Sequence, residues 1–159
     1  MTLIDNLRTA LTATPSFAHG LETLAAEHAG QRFFCELTAL DTLGCAFERF
    51  ELRSDALANA GIDRLRAVSQ NLSARLTYLL EPISPIEVDG EQCVVQMRSN
   101  PPQRDERSTS YYELLVRKGG ELSLRRWKKE PGDARQPLAA QVTREVLLRL
   151  AGDFSSAAV

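Results

Sequence analysis

From Arg75 to Lys129 the chain keeps a period of two, punctuated by glycine-bearing turns, and this pattern constrains the fold more than any other feature. Side chains that alternate in character suit a strand with one face buried. Tight turns join strands that run antiparallel. "RLTYLLEPI" reads as a strand, and "SPIEVDGEQCVVQMRS" as a hairpin turning at Asp89-Gly90, because Asp-Gly supplies the positive φ angles of a two-residue turn. Pairing Val88 with Glu91 sets Ile86 opposite Cys93. Ile86, Val88, Cys93, Val95 and Met97 then share the predicted core face, and Gln92, Val94, Gln96 and Arg98 take the other. "NPPQRDERST" is the one long loop, with two prolines and alternating charge.

"SYYELLVRKGGELSLRRWKKE" gives a second hairpin, turning at Gly119-Gly120. Closing it with Lys118 opposite Glu121 pairs Arg117 with Leu122, Leu115 with Leu124, Glu113 with Arg126 and Tyr111 with Lys128 on one side. Val116 with Ser123, Leu114 with Arg125 and Tyr112 with Trp127 fall on the other. Opposite charges and aromatic pairs across strands each contribute roughly 0.2–1 kcal/mol. Both faces are mixed in this register, so the pattern does not say which is buried.

The flanks read as helices. Thr2 and Asp5 make a capping box ahead of Leu3, Leu7, Ala10 and Leu11. Thr14-Pro15 starts a second helix, with Phe17, Leu21, Leu24 and His28 on its apolar side and Gly30 as its stop. Residues 31–53 are a hairpin by aromatic content and the Asp-Thr-Leu-Gly turn, although 31–44 also fits helical spacing. Ser54 caps a helix over 54–73, with Leu57, Gly61, Leu65, Val68 and Leu72 on one stripe. A last helix spans 137–151, lined by Leu138, Val142, Val146 and Leu150, with Glu145 placed to pair with Arg149. The tail "FSSAAV" is expected to fray. The expected architecture is therefore one α+β domain over 1–159: an N-terminal helical segment (1–30), the hairpin, the 54–73 helix, a meander over 75–129 and the final helix. Its antiparallel sheet has four to six strands, covered on one face by helices.

The function classes follow from charge and missing motifs. No run approaches the roughly 18 apolar residues needed to cross a bilayer, and Asp5 interrupts any signal-like core, so a cytoplasmic location is expected. Cys35, Cys45 and Cys93 are widely spaced among apolar neighbours and read as buried reduced thiols. His19 and His28 are too far apart to share a metal on one helix. Neither a metal nor another cofactor is expected, and no nucleophile elbow, metalloprotease or phosphate-loop motif occurs.

Charge is the uneven quantity. Residues 1–97 carry 7 basic and 13 acidic side chains, whereas 98–135 carry 10 basic and 6 acidic. Arg98, Tyr111, Arg117, Arg125, Arg126, Trp127, Lys128 and Lys129 form the candidate binding set, a basic aromatic hairpin. The expected function is a non-enzymatic protein-interaction domain, with a protein partner or a second copy of the chain as occupant. The alternatives are an enzyme or small-molecule binder with a pocket between helices and sheet, holding Cys45 or a histidine, and a weak anion or nucleic-acid binder. The pI near 5.7 makes nucleic acid the least favoured.

Overall fold

The computed structural model describes residues 1–159. α1 (Leu3–Ala13) is followed by β1 (Glu22–His28), β2 (Gln31–Leu40) and β3 (Gly44–Ser54), then a 3-10 turn and α2 (Ile62–Arg75). The second half holds β4 (Ile83–Asp89), β5 (Val94–Ser99), β6 (Gln103–Arg104), β7 (Thr109–Arg117), β8 (Glu121–Lys129), β9 (Gln136–Pro137), β10 (Ala140–Thr143) and α3 (Arg144–Ala157). The α+β class is as expected, but the sheet has ten strands rather than four to six. Its main path runs β1-β2-β3-β8-β7-β5-β4, with β10 on β3, β6 on β7 and β9 on β8. β3 and β8 pair antiparallel, as do β10 with β3 and β9 with β8. β9 and β10 therefore run in opposite directions, and residues 136–143 reverse between the diverging ends of β3 and β8.

The excess strands come from segments that the sequence assigns to helices. The capping box at Thr2 and Asp5 forms, and Leu3, Leu7 and Leu11 are buried. The second helix does not form. Phe17 makes a bridge with Leu40, and residues 22–28 pair along β2. Leu24 is buried, but Leu21 and His28 are exposed. β2 buries Gln31, Phe33, Cys35 and Leu37 in strict alternation, and the backbone groups on its outer side need partners. Seven registered pairs with β1 supply them, which outweighs a weak helical periodicity. The hairpin reading of 31–53 holds, with bulges near Leu37 that turn both Phe47 and Phe50 into the core.

Other boundaries move for local reasons. Ser54 ends β3 instead of capping a helix, and its hydroxyl donates to the Ala158 carbonyl at 2.7 Å. Gly61 is the N-cap of α2, not an interior position. Residues from Leu76 to Pro82 close α2 and turn, so β4 begins only at Ile83. Thr143 caps α3 through Val146 N, at 3.1 Å. The final helix thus starts later than 137, and it does not fray. Phe154 is fully buried and its ring meets Phe50 at 4.9 Å, which in turn meets Phe33 at 4.8 Å. Arg149, expected to pair with Glu145, stacks over Tyr78 at 4.0 Å.

Both second-half hairpins differ in register from the sequence reading. Asp89 pairs with Val94 across a four-residue turn. The Asp89 carboxylate accepts from Glu91 N and Gln92 N, each at 3.0 Å, which favours the longer turn. Val95 and Met97 are buried as expected, but Ile86 and Val88 are exposed and Cys93 is only half-buried. A bulge at Ile86, together with Pro85 and Glu87, blunts this edge strand.

In the β7–β8 hairpin Arg117, not Lys118, opens the pairing: it faces Glu121 across a three-residue loop. Gly119 and Gly120 have φ of +88° and +84°. A Cβ on Gly120 would lie 2.2 Å from the Ser54 carbonyl oxygen, and the Gly120 carbonyl accepts from Ser54 N at 2.9 Å. The shift of one residue re-pairs every position and separates the faces. Tyr112, Leu114, Val116, Leu122, Leu124 and Arg126 now share one side, and Tyr111, Glu113, Leu115, Arg117, Ser123, Arg125 and Trp127 the other.

The first of those sides is the core. α1 packs by β1, α3 by β3, and α2 by β4, β5 and β7, with α3 touching both other helices. Together they form one layer over one face of the sheet, as expected for this class. No helix packs on the opposite face.

Candidate interaction surface on the open sheet face

Two buried glutamates organise the open face. In β3, Glu51 accepts from Arg53 at 2.7 Å and is ion-paired with Arg49 at 2.7 Å, and Arg49 also donates to Glu121 at 3.4 Å. Two cations meet two anions there, and Glu36 stands opposite Arg49 on β2, so this cluster has no positive surplus.

In β7, Glu113 sits in a cross-strand row between Arg98 of β5 and Arg125 of β8. Gln96 Nε2 and Arg135 Nη1 donate to its Oε2 at 2.8 and 2.9 Å. Trp127 Nε1 and Arg135 Nη2 donate to its Oε1 at 3.3 and 3.5 Å. Burial pushes the Glu113 carboxyl up, but the bonds from Arg135, Gln96 and Trp127 and the charge of Arg135 prevail and hold it below its ordinary 4.5. Arg98 Nε lies 3.9 Å from Glu113, beyond hydrogen-bond reach.

The hydrogen-bonding capacity of the carboxylate is thus taken up by Arg135, Gln96 and Trp127, and Arg98 keeps only a long ion pair with it while Arg125 and Arg98 both rest on aromatic neighbours. Tyr111 and Trp127 are direct cross-strand partners. Arg98 stacks over Tyr111 at 4.8 Å. Trp127 carries Arg125 at 4.8 Å and Arg135 at 3.9 Å. Each such contact contributes about 0.5–2 kcal/mol and fixes a long side chain. Three guanidiniums therefore surround one carboxylate, a surplus of two positive charges. Arg98 Nε and Arg125 Nε are buried with no acceptor, while the Arg98 side chain remains 38% exposed.

Of the candidate binding set, Arg98, Tyr111, Arg125 and Trp127 come together here. Arg126 does not. It points to the helical side, where Glu81 meets it at 2.8 Å and the Tyr112 ring at 4.6 Å, with both charged side chains about nine-tenths buried. Glu113 pairs with Arg135 instead of Arg126. Arg117 is exposed at the hairpin end. Lys128 shares Arg126's side and reaches Glu130 at 3.6 Å. Lys129 donates to the carbonyls of Glu130 and Asp133. Sequence reasoning missed Arg135, Gln96 and the central role of Glu113. Gln96 and Glu113 were legible from the strand rows once the register is right, whereas Arg135 reaches in from an irregular segment that carries no periodic signal.

A recess of about 870 Å³ lies elsewhere, at the tip of the β2–β3 hairpin. Phe17, Ala39, Leu43, Cys45, Ala46 and Val142 dominate it. Burial pushes the Cys45 thiol up to about 11, with Arg144 opposing and Asp41 adding to the shift. Asp41 is held below the ordinary carboxylate range by hydrogen bonds from Gly44 N and Leu43 N, both at 2.8 Å. His19 and His28 are exposed, in a bend and in β1. No three His, Cys, Asp or Glu side chains gather as a metal-ligand set. Comparisons with protein-family models, curated proteins and solved structures find no match to this chain.

Proposed function

We propose that the chain is a non-enzymatic protein-interaction domain that docks an acidic polypeptide on the helix-free face of its sheet, with Trp127 at the centre. The observation that carries this reading is the Glu113 cluster on the helix-free face: buried Glu113 and Tyr111 framed by half-buried Arg98, Arg125 and Trp127 and exposed Arg135, with two positive charges in excess. Trp, Tyr and Arg are the residues that dominate binding energy at protein interfaces. A positive patch favours a negative partner. The tip recess supports an enzyme less well. A nucleophile needs an activated, deprotonated form, and Cys45 is held protonated while the Asp41 carboxylate is committed to two backbone amides.

The test is a selection of random dodecapeptides on the intact chain, followed by amide and indole resonance mapping of the enriched sequences. Shifts at Gln96, Arg98, Glu113 and the Trp127 indole are expected. Shifts confined to the helices or to the tip recess overturn the reading, and the second outcome assigns a small-molecule or apolar-ligand site instead. Sedimentation at rising concentration identifies self-docking: a mass that grows at low salt and falls at high salt makes a second copy the occupant, presenting the exposed Glu87 and Glu91 beside the β4–β5 turn.

A further inference from the structure

Resting on that reading, we infer that Arg98 and Arg125 are the specificity-determining residues of the surface, and that they engage two carboxylates carried on one extended acidic segment of the partner.

The count of charges sets the number. Glu113 neutralises one guanidinium, and its four hydrogen bonds come from Arg135, Gln96 and Trp127. Arg98 and Arg125 remain: neither donates a hydrogen bond to Glu113, from which Arg98 Nε stands 3.9 Å away, and with each Nε buried it is the terminal Nη atoms that are left for a partner. A guanidinium presents its donors in a planar fork that matches a carboxylate through two bonds. Stacking on Tyr111 and Trp127 has already fixed both side chains, so little rotamer freedom is lost on binding.

The spacing sets the shape. Arg98 and Arg125 flank Glu113 on adjacent strands, which puts their backbones about 10 Å apart at a strand spacing near 4.8 Å. In an extended chain, side chains on one side recur about every 7 Å. Two acidic residues at alternate positions, with their flexible ends, therefore span the pair. Glu113 lies between them and repels a third negative group. That disfavours a compact polyanion centred on the row.

The competing sites differ in ways that keep the inference specific. Arg49 and Arg53 already meet Glu51 and Glu121. Lys128 meets Glu130. Arg126 is committed to Glu81 on the helical side. Arg117 is exposed but has no aromatic ring to fix it.

The experiment titrates the intact chain with hexaglutamate, hexaglutamine, inorganic phosphate and an oligothymidylate, and follows the fluorescence of Trp127, the only tryptophan. Hexaglutamate is expected to shift the emission and hexaglutamine to leave it unchanged. Arg98→Gln and Arg125→Gln should each weaken hexaglutamate binding about tenfold or more, since each removes one charge-paired anchor. Arg117→Gln and Arg53→Gln should change it less than twofold. Circular dichroism melts of all four variants separate lost binding from lost fold, and the Arg98→Lys variant, which keeps the charge but not the fork, should recover only part of the affinity. No response to hexaglutamate, equal losses in all four variants, or a stronger response to phosphate or oligothymidylate overturns the inference. Peptides that map to the open face but bind equally well with every acid changed to its amide overturn it too, and leave the docking reading standing. Peptides that map elsewhere remove both.

Discussion

Arg125 and Arg126 are neighbours in β8 and face opposite sides of the sheet. Arg125 lies on the open face, half-buried, stacked on Trp127 beside a carboxylate that other groups have already satisfied. Arg126 lies on the helical side, sealed against Tyr112 and ion-paired with Glu81 at 2.8 Å. The pair shows that a basic stretch is not one property of a surface. A buried guanidinium with its own carboxylate is part of the scaffold, and a stacked guanidinium without a hydrogen-bonded one is the kind of group proposed above for recognition. The Glu51 cluster extends the lesson within the open face. Glu51 is as buried as Glu113, but the charges around it leave no positive surplus.

Breaking the scaffold member of the pair should give the largest effect. Arg126→Ala strands Glu81 in the interior and is expected to cost about 3–5 kcal/mol by chemical denaturation. Changing both Arg126 and Glu81 to Met should recover most of that loss, because well-packed apolar replacement of a buried ion pair is often close to neutral. A double variant as unstable as Arg126→Ala would show that Arg126 matters for a reason other than its partner. Arg125→Ala should reverse the pattern. It should lower stability by only about 0.5–1 kcal/mol, the size of one partly exposed stacking contact, while losing acidic-peptide binding measured by Trp127 emission.

Acid sharpens the role of Glu113. Its folded pKa lies below the ordinary 4.5, so its contribution to stability is complete above about pH 4.5 and is lost as pH falls through the lower folded value. Melting temperatures of wild type should therefore fall on acidification below pH 4.5 more steeply than those of Glu113→Gln. Identical slopes would remove Glu113 as the organiser of its cluster. The smallest effect belongs to Arg117→Gln, exposed at the hairpin end, which should stay within about 0.5 kcal/mol of wild type.

The α+β class, the N-terminal capping box, the 31–53 hairpin and the helical cover on one face were all legible, because each depends on local periodicity or capping chemistry. β1 was not. Its residues alternate poorly, and only the open side of β2 makes them a strand. Nor were β9 and β10, which exist because β3 and β8 diverge there. The candidate surface was half legible. Arg98, Tyr111, Arg125 and Trp127 were named from composition, but the two-residue turn assumed at Gly119-Gly120 placed Arg126 with Glu113 and Tyr112 with Trp127. The three-residue loop reverses both. Periodicity alone cannot choose between those turns, since Gly-Gly serves either.

Position 120 is where that choice is made physical. The main chain of β3 occupies the place that a methyl group would need. Replacing this hydrogen by any larger substituent would force the ribbon end away from Ser54 and break the hydrogen bond between Ser54 N and the Gly120 carbonyl. The hairpin that sets Arg125 and Arg126 on opposite faces is thus anchored to β3 through a single hydrogen atom.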